Sequence, residues 1–399
     1  MPEYLHPGVY VDEIAPSPPV IRQAATSTAG FIGPTERAAN DEDDLTGVPR
    51  LVTSFGEFER LFGNNGPAAA DGSRLFALPE SVRLFFDNGG SRCVIVSTGG
   101  FTGADGTRTP RVGEFRRGMR ALRGAPEVAF FAVPDAALMR RAASWARIAR
   151  YALKFARDNR LFAIIDVHRG DRPAGGSDDP IDGPDGIRAL IDGDARGWGA
   201  AYWQWLLPVD GSAPVPPGGA VAGSYARTDV ERGVWKAPAN VVLRGVAGLT
   251  ADVTRDGQRR LNAPDKAVNA IRAFPGRGIR VWGARTLAGG EYRYVSVRRM
   301  MLMIERALTE GLRFAVFEPN APRTWSRVEA SGGAFLDTLW RAGALAGAQP
   351  ADAFFIRCGL GATMSQADLD AGRLVAEVGV AAVKPAEFVI LRIKQLTGR

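Results

Sequence analysis

Cysteine and histidine are nearly absent from this chain of 399 residues, which has two of each. Cys93 and Cys358 are too few for a disulfide framework or a cysteine metal cluster. Both sit in strand-like apolar runs, CVIVST and FFIRCG, a setting that predicts buried free thiols and fits a reducing compartment. A Ser-His-Asp site would have to use His6 or His168, and no serine has the G-x-S-x-G setting of a nucleophile elbow. His168 ends a strand beside Arg169-Gly170, which predicts a place near the surface. There is no phosphate loop of the form G-x-x-x-x-G-K-[ST], and no dinucleotide fingerprint follows a strand. No apolar run approaches the roughly 20 residues needed to cross a bilayer. Residues 1–22 hold acids and prolines but no apolar core, which predicts no signal peptide. The expectation is a chain with no enzymatic activity, no cofactor, no metal and no membrane insertion.

The composition is that of a soluble globular protein, with 46% hydrophobic and 23% charged residues, and the length suits two domains with good cores. A net charge of +7 suits an acidic partner surface. The basic residues are mostly arginine and are spread along the chain, so charge alone does not single out nucleic acid. The acidic run Asp41, Glu42, Asp43, Asp44 lacks the spacing and the Gly turn of a cation loop and reads as solvated.

Pattern changes along the chain predict its organisation. Apolar strand runs at 93–97, 128–133, 161–167 and 200–207 alternate with helical stretches at 79–86, 136–159 and 220–231. Alternation of this kind argues for an α/β layer structure with a partly parallel sheet. Ser54 with Glu57 has the form of a capping box for a short helix, and 101–124 reads as loop. The helix over 136–159 carries Leu138, Ala142, Trp145, Ala149, Ala152 and Phe155 on one face. Arg140, Arg147, Arg150, Lys154 and Arg157 lie on the other, a solvated face without the exposed aromatics of a single-strand binder. Asp166 ends a strand and reads as a loop-capping residue. Beyond 292 the pattern becomes α+β: a helix from Ser296, a strand at 314–317, a helix over 325–343, strands at 354–358 and 374–380, and a Ser365–Asp368 capping box. Arg298 and Arg299 suit either a partner's acids or Glu305 and Glu310. The chain thus divides into an N-terminal arm (1–22), an α/β middle domain (23–286), a small α+β C-terminal domain (287–384) and a C-terminal strand (385–399).

Both ends are extended. Val9, Tyr10 and Val11 form a short strand candidate ahead of a proline-rich linker at 15–19. Phe388, Val389, Ile390, Leu391, Arg392 and Ile393 form a second, apolar strand at the other end. Such a strand either pairs within its own domain or is donated to a neighbouring copy.

Several stretches, in order, carry a resemblance: PGVYVDEI from Pro7, SFGEFERLFG from Ser54, FFDNGGSRCVIV from Phe85, AGSYARTDVERGVWKAPAN from Ala222, VNAIRAFPGRGIRVWGART from Val268, YVSVRRMMLMIERAL from Tyr294, FAVFEPN from Phe314 and VGVAAVKPAEFVILRI from Val378. The chain resembles the sheath proteins of contractile phage tails, pyocins and related injection systems. A local departure is Val380-Ala381-Ala382-Val383, where relatives often place a proline before the valine. The resemblance implies a middle domain with a subtilisin-like, mixed and largely parallel sheet that does not act as a catalyst; a hydrolase is the alternative reading. It implies six-subunit rings stacked around an inner tube, with baseplate and terminal cap proteins as further partners. Terminal arms join neighbours by strand addition, and contraction drives the tube through a target envelope. It also implies assembly in the bacterial cytoplasm and no direct contact with nucleic acid.

Overall fold

A computed structural model describes residues 19–39, 43–64, 69, 72–103, 106–107, 109–176 and 178–387. These fall into two compact units: 24–306 with 383–387, and 19–23 with 307–382.

The larger unit is built on a nine-stranded sheet. Its strands in chain order are β1 (Ala29–Thr35), β2 (Arg50–Val52), β3 (Cys93–Gly100), β4 (Phe130–Ala132), β5 (Phe162–Asp166), β6 (Gly199–Trp203), β7 (Val241–Val242), β8 (Val268–Phe274) and β9 (Gly278–Trp282). The spatial order is β7-β9-β8-β6-β5-β4-β1-β3-β2. The inner strands from β3 to β8 run parallel, while β2, β9 and β7 pair antiparallel at the two margins. β1, β4, β5 and β6 are buried along their whole length, as expected where helices cover both faces of a parallel sheet.

Helices α1 (Phe55–Phe62), α2 (Leu78–Asp87), α3 (Val112–Ala121), α4 (Ala142–Asp158) and α5 (Gly218–Arg232) accompany these strands. Adjacent aromatics on a strand show which helix covers which face. Phe130 meets Tyr225 of α5 at 5.5 Å between ring centroids, whereas Phe131 meets Phe155 of α4 at 5.8 Å. Phe31 meets Phe85 of α2 edge-on at 5.4 Å. The sheet therefore has α2 and α5 on one side, and α4, with α3 against it, on the other. Helix α5 lies on α2 with almost no side chain between them. A Cβ on Gly219 would sit 2.1 Å from the Ser81 carbonyl oxygen, and one on Gly223 would sit 2.4 Å from that of Phe85.

Four expectations change here. The stretch 101–124 holds helix α3, with Phe115 and Met119 buried one turn apart. A short 3-10 turn at Pro134–Ala136 and an irregular stretch over 137–141 precede α4, so that helix begins at Ala142. Ser54 does cap α1, but Glu57 reaches the Thr53 N–H at 2.8 Å and not that of the cap. His168 is 5% exposed, stacked on Trp145 and bonded through Nδ1 to the Ala137 carbonyl at 3.1 Å, so it lies inside and not near the surface.

Helix α6 (Val295–Gly311) follows, and the two units part within it. The smaller unit adds α7 (Pro322–Arg341), strands β10 (Phe354–Cys358) and β11 (Ala376–Val380), and the short α8 (Gln366–Asp370). The Ser365–Asp368 capping box forms with both of its bonds, at 3.3 and 2.9 Å. Residues 314–317 are not a strand. They close a 3-10 turn, and Phe317 stands fully exposed with φ 67°. An aromatic, β-branched tetrad suits a strand only if another strand takes its backbone bonds, and none does so among the described residues.

Candidate linking sites

In the smaller unit β10 and β11 form a two-stranded antiparallel sheet, with Phe354 opposite Val380 and Cys358 opposite Ala376. Among the described residues no further strand joins either edge. Ala381 N–H donates to the Ala353 carbonyl at 2.7 Å, and Cys358 N–H turns outward to the Glu329 carboxylate at 2.8 Å. Backbone groups alternate along an antiparallel pair. Phe354 and Ile356 therefore present their N–H and C=O groups to one open edge, and Ala376, Val378 and Val380 to the other. One face of this sheet rests on α7, where Ile356 packs at Gly332. On the opposite face Arg357 lies 4.9 Å over the half-exposed Phe355 ring. Asn320 of the FAVFEPN stretch braces the same unit, accepting from Trp325 Nε1 at 2.7 Å and donating to the Arg373 carbonyl at 2.9 Å.

The predicted linking residues Val9, Tyr10, Val11, Phe388, Val389, Ile390, Leu391, Arg392 and Ile393 lie outside the described residues. The roots of both arms lie within them. Ile21 is buried against Gly311, where a Cβ would come within 2.6 Å of its side chain, while the neighbouring Val20 is 87% exposed. At the other end Glu387 takes two bonds from the Arg285 guanidinium, Nε to Oε1 at 2.8 Å and Nη2 to Oε2 at 2.6 Å. Arg285 also donates to the Asn262 carbonyl at 2.6 Å. Its backbone is held on both sides by the Asn269 side chain, which accepts from Arg285 N–H and donates to Arg285 C=O, each at 2.8 Å. The stretch from Val268 to Thr286 thus prepares a fixed arginine for the root of the C-terminal arm. Sequence reasoning missed this pair, because its partners are 102 positions apart.

Other singled-out residues serve the fold. Arg299 makes a buried two-point pair with Asp229 at 2.9 and 2.6 Å, and reaches the Thr26 carbonyl at 3.0 Å. Its guanidinium lies over Phe130 and Tyr225. Arg298 stacks 3.4 Å over the Tyr292 ring and donates to the Gly197 carbonyl. Neither takes Glu305 or Glu310, which pair with Arg160 and Arg313. Asp166 caps α5 through the Gly218 N–H at 2.6 Å, and Asp135 receives the Ala77 N–H at the start of α2 at 2.7 Å. The second oxygen of each carboxylate is buried without a hydrogen-bond partner among the described residues. Burial, chiefly, pushes Asp166 up to about 8 and Asp135 up to about 7. On the outer face of α4, Arg157 pairs with Asp194 at 2.6 Å and Arg150 donates to the Leu190 carbonyl. No group of three or more His, Cys, Asp or Glu side chains among the described residues is set to hold a metal ion. No described helix is long and apolar enough to cross a membrane.

Comparison with known proteins decides the family. A model of the phage tail sheath protein central domain matches residues 191–287, and a model of the phage tail sheath C-terminal domain matches 289–395. A chain in the baseplate of the anti-feeding prophage is 31% identical, with a TM-score of 0.76 over 99% of this chain and 100% of that one. This chain belongs to the contractile tail sheath family. A sheath protein of that family from the anti-feeding prophage helical sheath in its contracted state is 32% identical, with a TM-score of 0.75 over 98% of this chain and 99% of that one. A chain of the contracted PVC sheath complex, an extracellular contractile injection system, is 30% identical, with a TM-score of 0.74 over 99% of each. The tail sheath protein of Vibrio phage KVP40 is 26% identical over 156 residues, 38% of this chain and 22% of that protein. The family and these neighbours are structural sheath proteins, so this chain is a sheath subunit of a phage tail or phage-tail-like particle, not an enzyme.

Proposed function

We propose that this subunit assembles into six-membered rings stacked around an inner tube, and that copies are joined by strands donated from both termini. The observation that carries this reading is the β10–β11 pair, whose edges take no further strand among the described residues, in a chain that has an apolar strand sequence at 388–393. An added strand of about five residues contributes a few hydrogen bonds, each worth roughly 0.5–1.5 kcal/mol net. One joint is modest, but many joints at high effective concentration make a durable lattice. The proline-rich stretch 15–19 lets bodies rotate while the strands stay paired. Contraction is then relaxation of a kinetically trapped lattice, with its energy stored at assembly, and it needs no nucleotide site. Baseplate and terminal cap proteins would close the two ends of the stack, and assembly would take place in the bacterial cytoplasm. The subtilisin-like arrangement of the middle domain is, on this reading, a scaffold. The proposed domain division at 286/287 is supported by the junction of the two family models.

Deletion of 1–21, or of 387–399, is expected to leave a folded monomer that forms no tubes in negative-stain images. Normal tubes from either truncation would refute the donated-strand reading.

A further inference from the structure

The C-terminal half of α5 and the antiparallel pair of β7 and β9 line a concavity of about 530 Å³. Arg227, Arg232, Lys236, Arg244 and Arg280 line it, with Glu231 as its one acid. None of the five cations has a carboxylate within 4 Å among the described residues. Arg227 and Arg280 spend part of their donor capacity on backbone carbonyls, of Val242 at 2.7 Å and of Asn240 at 3.0 Å. Arg232, Lys236 and Arg244 are exposed and make no such bond. Five like charges around one hollow repel each other, and burial first, then Arg244, lowers the proton affinity of Arg227. A fold maintains an unrelieved cluster of this kind at a cost in stability, and a bound polyanion would remove that cost. The same chain carries a matching charge, since residues 41–44 read Asp-Glu-Asp-Asp, its longest acidic run.

We propose that this basic concavity is an inter-subunit socket, filled in the sheath by the acidic run Asp41, Glu42, Asp43, Asp44 of a second copy. The proposal rests on the self-assembly reading above and adds a second joint to it, one made of side-chain charge and independent of the arms. Charge pairs at such a joint set register between copies and reject misaligned ones. They also make assembly sensitive to salt.

The test uses the full chain and charge reversal, in the socket at the exposed positions 232, 236 and 244. Arg232→Glu with Lys236→Glu and Arg244→Glu reverses the socket. Asp41→Lys with Glu42→Lys reverses the run. Each variant alone is expected to melt no lower than the parent and to need at least tenfold more protein before tubes sediment. Both sets combined in one chain are expected to restore assembly. Tubes from the socket variant at the parental concentration and salt would overturn the proposal while leaving donated strands intact. A socket defect not restored in the combined chain would also overturn it, and would point instead to another acidic protein, such as the tube. A socket variant whose monomer melts several degrees lower, with recovery in the combined chain, would place the run in its own subunit and end the inter-subunit claim. If the parental chain itself forms no tubes, the self-assembly reading falls and the socket falls with it.

Discussion

Asp229 and Arg299 show what one buried charge does for this fold. Their side chains are 1% and 3% exposed, and the pair ties α5 to α6 and, through Thr26, to the segment that leads into β1. Removing one partner of such a pair leaves the other charge desolvated, which costs about 3–5 kcal/mol. Asp229→Ala is therefore expected to lower unfolding stability by that order, as read from a guanidinium midpoint. Replacing both residues with apolar ones of similar volume should recover most of the loss. Asp166 makes a different kind of prediction. Its folded pKa, about 8, lies above the ordinary carboxylate value of about 3.9 in an unfolded chain. Between those values the folded state holds a proton that the unfolded state has released. Stability is fully present below about pH 4, is lost as pH rises toward 8, and then levels off. The slope is up to about 1.4 kcal/mol per pH unit for this group. Asp135, raised to about 7, adds to the same trend. Asp166→Asn keeps an acceptor for the Gly218 N–H and removes the titration. The difference between denaturant midpoints at pH 5 and pH 8 is expected to shrink in this variant. An unchanged difference would mean that Asp166 is not a source of the pH dependence.

At the scale of elements, the contact of α5 with α2 decides how the first of these layers closes. Gly219 and Gly223, one turn apart, let the backbones meet where any Cβ would strike a carbonyl oxygen. Gly219→Ala is expected to cost about 1–3 kcal/mol or more, because the obstacle is main chain and not a movable side chain. Thermal melting checks this, and a parental melting temperature would mean that the helices do not meet this closely. Most of the α/β layer was legible in advance, since strands buried on both faces read as continuous apolar runs and α4 carries a clear pattern. Helix α3 was not, because Gly113, Gly118 and three arginines dilute a signal that survives only as Phe115, Met119 and Leu122. The FAVF tetrad misled in the opposite direction: its residue types suit a strand, but a strand exists only where a partner takes its backbone bonds. The burial of His168 was equally hidden, because Trp145 and Ala137 reach it from elsewhere in the chain.

At the scale of the whole molecule, the arms matter most where they leave the body. The strands proposed to be donated show as sequence patterns, yet the contacts of Ile21 and Glu387 beside them do not, because their partners lie hundreds or about a hundred positions away. A strand that is to hold a neighbour under load must transmit force to its own subunit, and a flexible root would only stretch. The two-point Arg285–Glu387 pair, mostly buried and braced by Asn269, gives the C-terminal arm a fixed root. Each charge-assisted bond in it is worth about 1.5–3 kcal/mol. Glu387→Ala is expected to leave the monomer folded but to lower its melting temperature by several degrees, because it removes both charge-assisted bonds to a mostly buried guanidinium. The same change is expected to raise the concentration at which tubes form, and to make the tubes that do form shed subunits on dilution. Sedimentation across a dilution series separates these outcomes. Tubes as persistent as those of the parent would show that the arm bears its load without this root.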